Sequence, residues 1–456
     1  MGFHAFHDLP FPRQLVWDWH TRPGAVTRLT PSFVPMSVTR EADNLATGTT
    51  TFSLPAGLSW VARHDLAHYR AGAQFSDVCL TAPIKQLANW RHTHTFADLD
   101  DGTRITDDVA TRVPGKLLTP TFAYRQRQLL ADLQFLERLA ALSPEPGRRL
   151  TVAMTGSGGS VGTGLRAQLT TAGHDVIRLV RRDPAAGQRR WDPDQPAVDL
   201  LDGVDVLVHL AGEPIFGRFN DAHKNAIRDS RVGPTTRLAQ LVADSPSVTA
   251  MVSASAVGYY GADRGDEKLT EDSERGDGFL ADVVSAWEAA TAPARDAGKR
   301  VVTVRTGLAM NGGAGMLPLL SALFSTGLGG AFGDGSMWMS WVAQDDLTDV
   351  YARAVVDESL AGPVNAVSPA PVTNREMADV LAAELNRPAR MPLPTFGPAM
   401  LLGREGAAEL ALASQRVLPE RLHSAGHTFR FDALAAALAH ELGGEALLAP
   451  AGEEVG

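Results

Sequence analysis

The stretch VAMTGSGGSVG (152–162) decides how this chain is read. An apolar run breaks at Gly156, and Gly159 and Gly162 complete a G-x-x-G-x-x-G spacing. LRAQLTTAG (165–173) follows as a helical pattern. Strand, glycine turn, helix is the order in which backbone N–H groups and a helix N-terminus converge on a pyrophosphate. Glycine permits the tight turn and the close approach of backbone to phosphate. Gly156, Ser157, Gly158, Gly159, Val161 and Gly162 are therefore candidate ligands of a dinucleotide.

A second apolar strand, DVIRLVR (175–181), ends in Arg181-Arg182. Binders of the unphosphorylated dinucleotide usually carry an acidic residue there, to accept the ribose 2′-hydroxyl. Two guanidiniums suit a 2′-phosphate instead. The pair predicts NADP(H), with NAD(H) as the weaker alternative.

Outward from that turn, the pattern repeats. VDVLVHLAG (204–212), TAMVSASA (249–256) and RVVTVRTG (300–307) are further apolar strands separated by helical stretches. This alternation predicts an α/β fold, a doubly wound parallel sheet covered on both faces. Beyond about residue 362 a smaller lobe is expected, with Thr373 and Glu376 at capping-box spacing.

The first part of the chain has a different grammar. LSWVARHDLAHY (58–69), QFSDVCLT (74–81), NWRHTHTFADL (89–99) and TRITDDVATRV (103–113) alternate or are β-branched. Helical stretches flank them at 12–29 and 120–142. Short helix, antiparallel strands and long final helix predict an α+β helix-grip domain over 1–145. SPEPGRR (143–149) reads as a linker, and 150–456 as the second domain, with its lobe at about 363–442.

Composition narrows the function classes. The 456 residues carry a formal net charge of −10 without a basic run. Nucleic acid and anionic membrane are disfavoured as partners. Cys79 is the single cysteine, so no disulfide forms within the chain. The start, MGFHAFHDLP, lacks a basic n-region and an apolar h-region, and no stretch is long and apolar enough to span a bilayer. A cytoplasmic protein is expected.

Taken together, HLAGEPI (209–215), VSASAVGYYG (252–261), GFLADVVSAWEAA (278–290), RTGLAM (305–310) and ASQRVLPERL (413–422) resemble the extended, atypical short-chain dehydrogenase/reductases of the epimerase-like family, often labelled nucleoside-diphosphate-sugar epimerases. FHDLP, HTRPGA, RHTHTF and AYRQRQL resemble START-like (SRPBCC) domains that bind apolar ligands. The resemblance implies a Rossmann-type domain in which Leu210, Ala211 and Gly212 line the adenosine side. It implies that Arg305 and Thr306 approach the nicotinamide end, and that Ser255 is the catalytic Ser/Thr. It also implies a small carbonyl or hydroxyl substrate, and relatives of this kind often dimerise.

The chain departs from that family where protons move. The positions of the Tyr-x-x-x-Lys pair hold Leu280 and Val284, and Ala343 stands where relatives tend to have His. Hydride transfer needs a proton donor or acceptor at the carbonyl oxygen. Ser255, with Tyr259 or Tyr260 from the same loop, remains as the candidate catalytic set. The expected function is an NADP(H)-dependent oxidoreductase or epimerase with a fused apolar-ligand domain. The alternatives are a catalytically altered NADP(H)-binding sensor or scaffold, or a ligand carrier tethered to a dinucleotide-binding partner. His92 and His94 share a strand face, but with no third ligand evident in the sequence no metal is expected. Trp60 and Trp90 suit a cavity or a core equally, and Trp338 and Trp341 suit a substrate wall or packing.

Overall fold

The computed structural model describes residues 2–389 and 391–449. The chain divides into two compact units. One comprises the chain up to Arg138 with Ala167–Gly173 and the segment from Ala439 onward; the other comprises Leu139–Arg166 and His174–Leu438. This differs from the expected division, which gave everything after residue 150 to one domain. Sequence periodicity marks a helix but not the core its end docks on. His440 stacks on Tyr124 at 4.4 Å and bonds Gln128 at 2.9 Å, both in the first unit.

The first unit holds a seven-stranded antiparallel sheet. In chain order its strands are β1 (Gly2–Leu9), β2 (Ser37–Arg40), β3 (Thr49–Ser53), β4 (Ser59–His64), β5 (Gln74–Cys79), β6 (Arg91–Leu99) and β7 (Gly102–Ala110). The spatial order is β1-β7-β6-β5-β4-β3-β2. Alternation is clean where one face is buried: Phe3, Ala5, His7 and Leu9 of β1 point inward. The 28-residue helix Gly115–Leu142 begins five residues before the expected start and carries Pro120 inside it. Its Leu129 and Leu133 join Trp17, Trp19, Phe75, Phe96 and Ile105 in one apolar cluster. The expected helix over 12–29 is two, Arg13–Thr21 and Ala25–Arg28, because Pro23-Gly24 intervenes and Gly24 has φ +96°.

The second unit is built on a seven-stranded, all-parallel Rossmann-like sheet. Its order is Gln188–Arg190, Asp175–Val180, Thr151–Thr155, Val206–His209, Ala250–Ala256, Arg300–Thr306 and Gly362–Ala366. The strand order reverses between Thr151–Thr155 and Val206–His209, and ligands of such sheets bind outside the carboxyl ends at that reversal. Central strands buried on both faces explain the unbroken apolar runs: Val206 to His209 are all buried. The capping box at Thr373 and Glu376 is formed. Among the described residues, no helix is long and apolar enough to cross a membrane.

Candidate functional site

The glycine turn sits at the reversal point. Gly156 has φ +66°, and a Cβ there would lie 2.8 Å from the Leu210 carbonyl carbon. A Cβ at Gly162 would lie 2.8 Å from the Ser157 Cα. These two glycines let the turn pack against the next strand end and against its own helix. Gly158 is different: a Cβ there meets nothing within 4 Å, and both Gly158 and Gly159 are exposed. The turn therefore presents an open backbone face at the start of helix Ser160–Thr171, which also holds Val161. A pyrophosphate fits such a face on backbone N–H groups.

Thr155 fastens the opposite wall. Its Oγ1 accepts N–H bonds from Leu210 at 3.1 Å and Ala211 at 3.2 Å. With those bonds accepted, its hydroxyl is left to donate to His209 Nδ1 at 2.7 Å. Desolvation, aided by Arg231, pushes His209 down to about 4, which keeps the ring neutral. Arg231, itself buried, donates to the Glu213 carbonyl at 2.9 Å and crowds Gly212. The Leu210-Ala211-Gly212 segment is thus held at the glycine turn.

Arg181 and Arg182 are exposed just beyond the second strand. Arg178, which sequence reasoning passed over, lies inside that strand and donates to Ser157 Oγ at 3.2 Å. It is a cation tied directly to the turn, and only the strand's path shows it.

The other end of the site is a row across three strands. Ser255, Arg305 and Asn365 are register partners on adjacent strands. Ser255 Oγ donates to Glu288 Oε1 at 2.6 Å. Arg305 grips the same carboxylate with both Nε and Nη2, each at 2.8 Å. Its Nη1 donates to the Tyr260 hydroxyl at 3.0 Å, which in turn donates to Asn365 Oδ1 at 2.7 Å. Burial opposes the charge on Arg305, but Glu288 overrides it and raises the guanidinium pKa. Burial pushes the Tyr260 phenol up to about 12 despite Arg305.

The three candidates for proton transfer therefore differ. Tyr260 is fully buried, with its hydroxyl committed at both ends. Tyr259 is only half-buried, its ring 3.5 Å beneath the Arg305 guanidinium carbon. Ser255 faces Glu288. Glu288 was missed by sequence reasoning, although a signal was there. Leu280, Val284 and Glu288 follow at i, i+4 and i+8 on helix Phe279–Ala289, so they share a face. The helix that carries apolar groups at the two expected proton-transfer positions brings in a carboxylate one turn further on.

Trp338 and Trp341, which suit a wall or packing equally, differ in their surroundings. Trp341 is fully buried and donates to the Ala370 carbonyl at 2.9 Å, whereas Trp338 is half-buried and bonds Asp266 at 2.7 Å. Ala343 caps helix Gln344–Val356, and Asp346 in its first turn accepts backbone N–H bonds from Arg430 and Phe431. Thr306 ends its strand with its side chain bonded to Tyr351.

Comparison with known proteins places this geometry. Residues 152–365 match the model of the NAD dependent epimerase/dehydratase family, and residues 393–441 that of a domain of unknown function, DUF1731. An epimerase family protein of Mycobacterium bovis is 40% identical over 293 residues, 63% of this chain and 96% of that protein. The chain belongs to this epimerase family. A crystal structure of a nucleoside-diphosphate sugar epimerase from Corynebacterium glutamicum is 58% identical, with TM-score 0.88 over 98% of this chain and 91% of that one, so its likeness reaches into both units. The human epimerase family protein SDR39U1, solved with NADPH, is 32% identical, with TM-score 0.59 over 64% of this chain and 99% of that one.

The first unit of this family member carries a separate cavity of about 360 Å³. It lies between the sheet and three helices, and Trp60 and Trp90 both line it, packed edge-on at 5.2 Å. It is not purely apolar: His20, His64, Asp77, His92, His94 and Arg125 also line it. Desolvation holds His20 down to about 4 and His94 well below the usual imidazole range. Burial works to raise Asp107, but the hydrogen bonds from His92 and His94 win and hold it well below the usual carboxylate range.

Proposed function

We propose that this family member is an NADP(H)-dependent oxidoreductase or epimerase acting on a small carbonyl or hydroxyl compound. The observation that carries the reading is the open backbone face at Gly158, beside a strand that ends in exposed Arg181 and Arg182. The NADPH held by the 32%-identical human relative supports the choice of cofactor. Gly156 to Gly162 would hold the pyrophosphate, Leu210 to Gly212 the adenosine side, and Arg181 with Arg182 the 2′-phosphate. The cofactor, when bound, supplies the hydride chemistry.

The chain's own residues handle the proton. Ser255 spends its hydrogen on Glu288, so its oxygen accepts from a substrate hydroxyl and orients it. Tyr259 is the phenol left to exchange a proton at the substrate oxygen. Tyr260 is a positioning residue that holds Arg305 over the Tyr259 ring. The test is a carbonyl-substrate screen with NADPH, read at the nicotinamide absorbance. Tyr259→Phe is expected to lower turnover by about 10²–10⁴-fold, the usual cost of a lost proton donor. Unchanged turnover in Tyr259→Phe would remove the phenol from the mechanism.

A second reading, a catalytically altered NADP(H)-binding sensor or scaffold, rests on Leu280 and Val284, both buried against the Gly258 loop. NADPH binding without turnover across the screen would favour it. The first unit is read as a START-like helix-grip domain, whose mixed lining favours a ligand with both an apolar body and a polar group.

A further inference from the structure

The polar side of the first unit's cavity is organised by sheet register. Asp77 on β5 stands opposite His92 on β6, and His94 on β6 stands opposite Asp107 on β7. The His-x-His spacing turns both imidazoles to the interior face, where they are buried with ring centroids 3.9 Å apart. Asp107 Oδ1 meets His92 Nε2 at 2.8 Å and His94 Nδ1 at 2.9 Å. A carboxylate only accepts, so it draws the proton of each neutral ring to those nitrogens. The lone pairs are then left on His92 Nδ1 and His94 Nε2.

That is the arrangement in which metal-ligating histidines are held: one ring nitrogen donates to an outer carboxylate while the other faces the ion. A third ligand comes from the neighbouring strand. Asp77 Oδ2 lies 3.8 Å from His92 Nδ1. Asp77, His92 and His94 each bring one ligand atom to within 4.8 Å of the other two. Bonds of about 2.0–2.2 Å in tetrahedral geometry set donor atoms roughly 3.3–3.5 Å apart, so modest side-chain rotation closes the set. We propose that Asp77, His92 and His94 bind a divalent transition-metal ion of the zinc class, with Asp107 positioning both histidines.

Charge and space agree with this. With neutral imidazoles, the carboxylates of Glu41, Asp77 and Asp107 outnumber the two guanidiniums lining the cavity, Arg22 and Arg125. The site is therefore anionic before the ion arrives. All three ligands line the cavity of about 360 Å³, so the remaining coordination position opens onto it. Three protein ligands with an open position is the form of a zinc site that engages a small molecule, and two histidines with one carboxylate also suit ferrous iron.

The test uses the untagged full-length chain, stripped with a chelator and titrated with Co²⁺. The expected result is one equivalent per chain, with the visible absorption of four- or five-coordinate cobalt, displaced by Zn²⁺. His94→Gln and Asp77→Asn are each expected to abolish that absorption. Asp107→Asn is expected to weaken binding by about 10–100-fold, the usual effect of losing an outer-shell partner. Unchanged far-ultraviolet dichroism and melting of each metal-free variant show that the unit still folds, and either ligand variant that folds decides the question by itself. No stoichiometric uptake by the parent chain overturns the proposal. So does uptake that survives in a folded His94→Gln or Asp77→Asn variant, since it would come from exposed histidines elsewhere.

Discussion

Replacing Glu288 with Gln tests whether the row across the sheet is held by a buried ion pair. Glu288 accepts from Ser255 at 2.6 Å and twice from Arg305 at 2.8 Å. The Arg305 side chain is 3% exposed and that of Glu288 15%. Glutamine keeps the shape but turns one acceptor into a donor, so an N–H group faces either Arg305 or Ser255. Removing one member of a buried pair typically costs about 3–5 kcal/mol, because the other charge stays buried without its partner. Arg305 keeps the Tyr260 hydroxyl at 3.0 Å and the Tyr259 ring at 3.5 Å, which places the cost at the lower end. A loss of about 3 kcal/mol corresponds to a melting point lower by roughly 5 °C for a unit of this size. Urea unfolding and calorimetry read both quantities. The double variant Glu288→Leu, Arg305→Met should recover more than half of the loss, since it leaves no buried charge. A cost under about 1 kcal/mol for Glu288→Gln, or a double variant worse than the single, would show that the pair is not what holds the row.

Replacing Arg181 with Asp and Arg182 with Ser should weaken NADPH binding far more than NADH binding, by roughly 1.5–3 kcal/mol for each charge-assisted bond lost; equal affinities for the two cofactors in the parent protein, measured by calorimetry, would refute the assignment. Gly162→Ala should displace the turn and weaken dinucleotide binding, because its Cβ would meet the backbone of Gly156 and Ser157; the same titration reads it, and unchanged binding would mean that the turn has room to give. His209, pushed down to about 4 in the fold, refuses a proton that the unfolded chain takes up below about 6.5. Its contribution to stability is therefore complete above pH 6.5, falls as pH drops from 6.5 to 4, and levels off below that, a change of roughly 3 kcal/mol. His209→Gln should remove that share of the slope in urea midpoints measured against pH, and an identical slope in the variant would count against a buried neutral ring.

The sequence by itself determined the elements whose signals are local. A glycine turn needs its glycines within a few residues, so Gly156, Gly159 and Gly162 announced the dinucleotide half and the parallel sheet around it. The capping box at Thr373 and the apolar strands were legible for the same reason. It also showed that Leu280 and Val284 cannot move protons. What it could not show is which distant side chains share a space. Glu288 reaches Ser255 across 33 positions, and Tyr260 reaches Asn365 across 105. The phenols of Tyr259 and Tyr260 are adjacent in sequence, yet one is half-buried and the other fully enclosed. His92 and His94 stood in plain view, but Asp77 and Asp107 join them only through the pairing of β5, β6 and β7. Strand register is a tertiary quantity: it is fixed by the burial of whole faces and not by any short run of residues, and only the folded sheet brings those four side chains together.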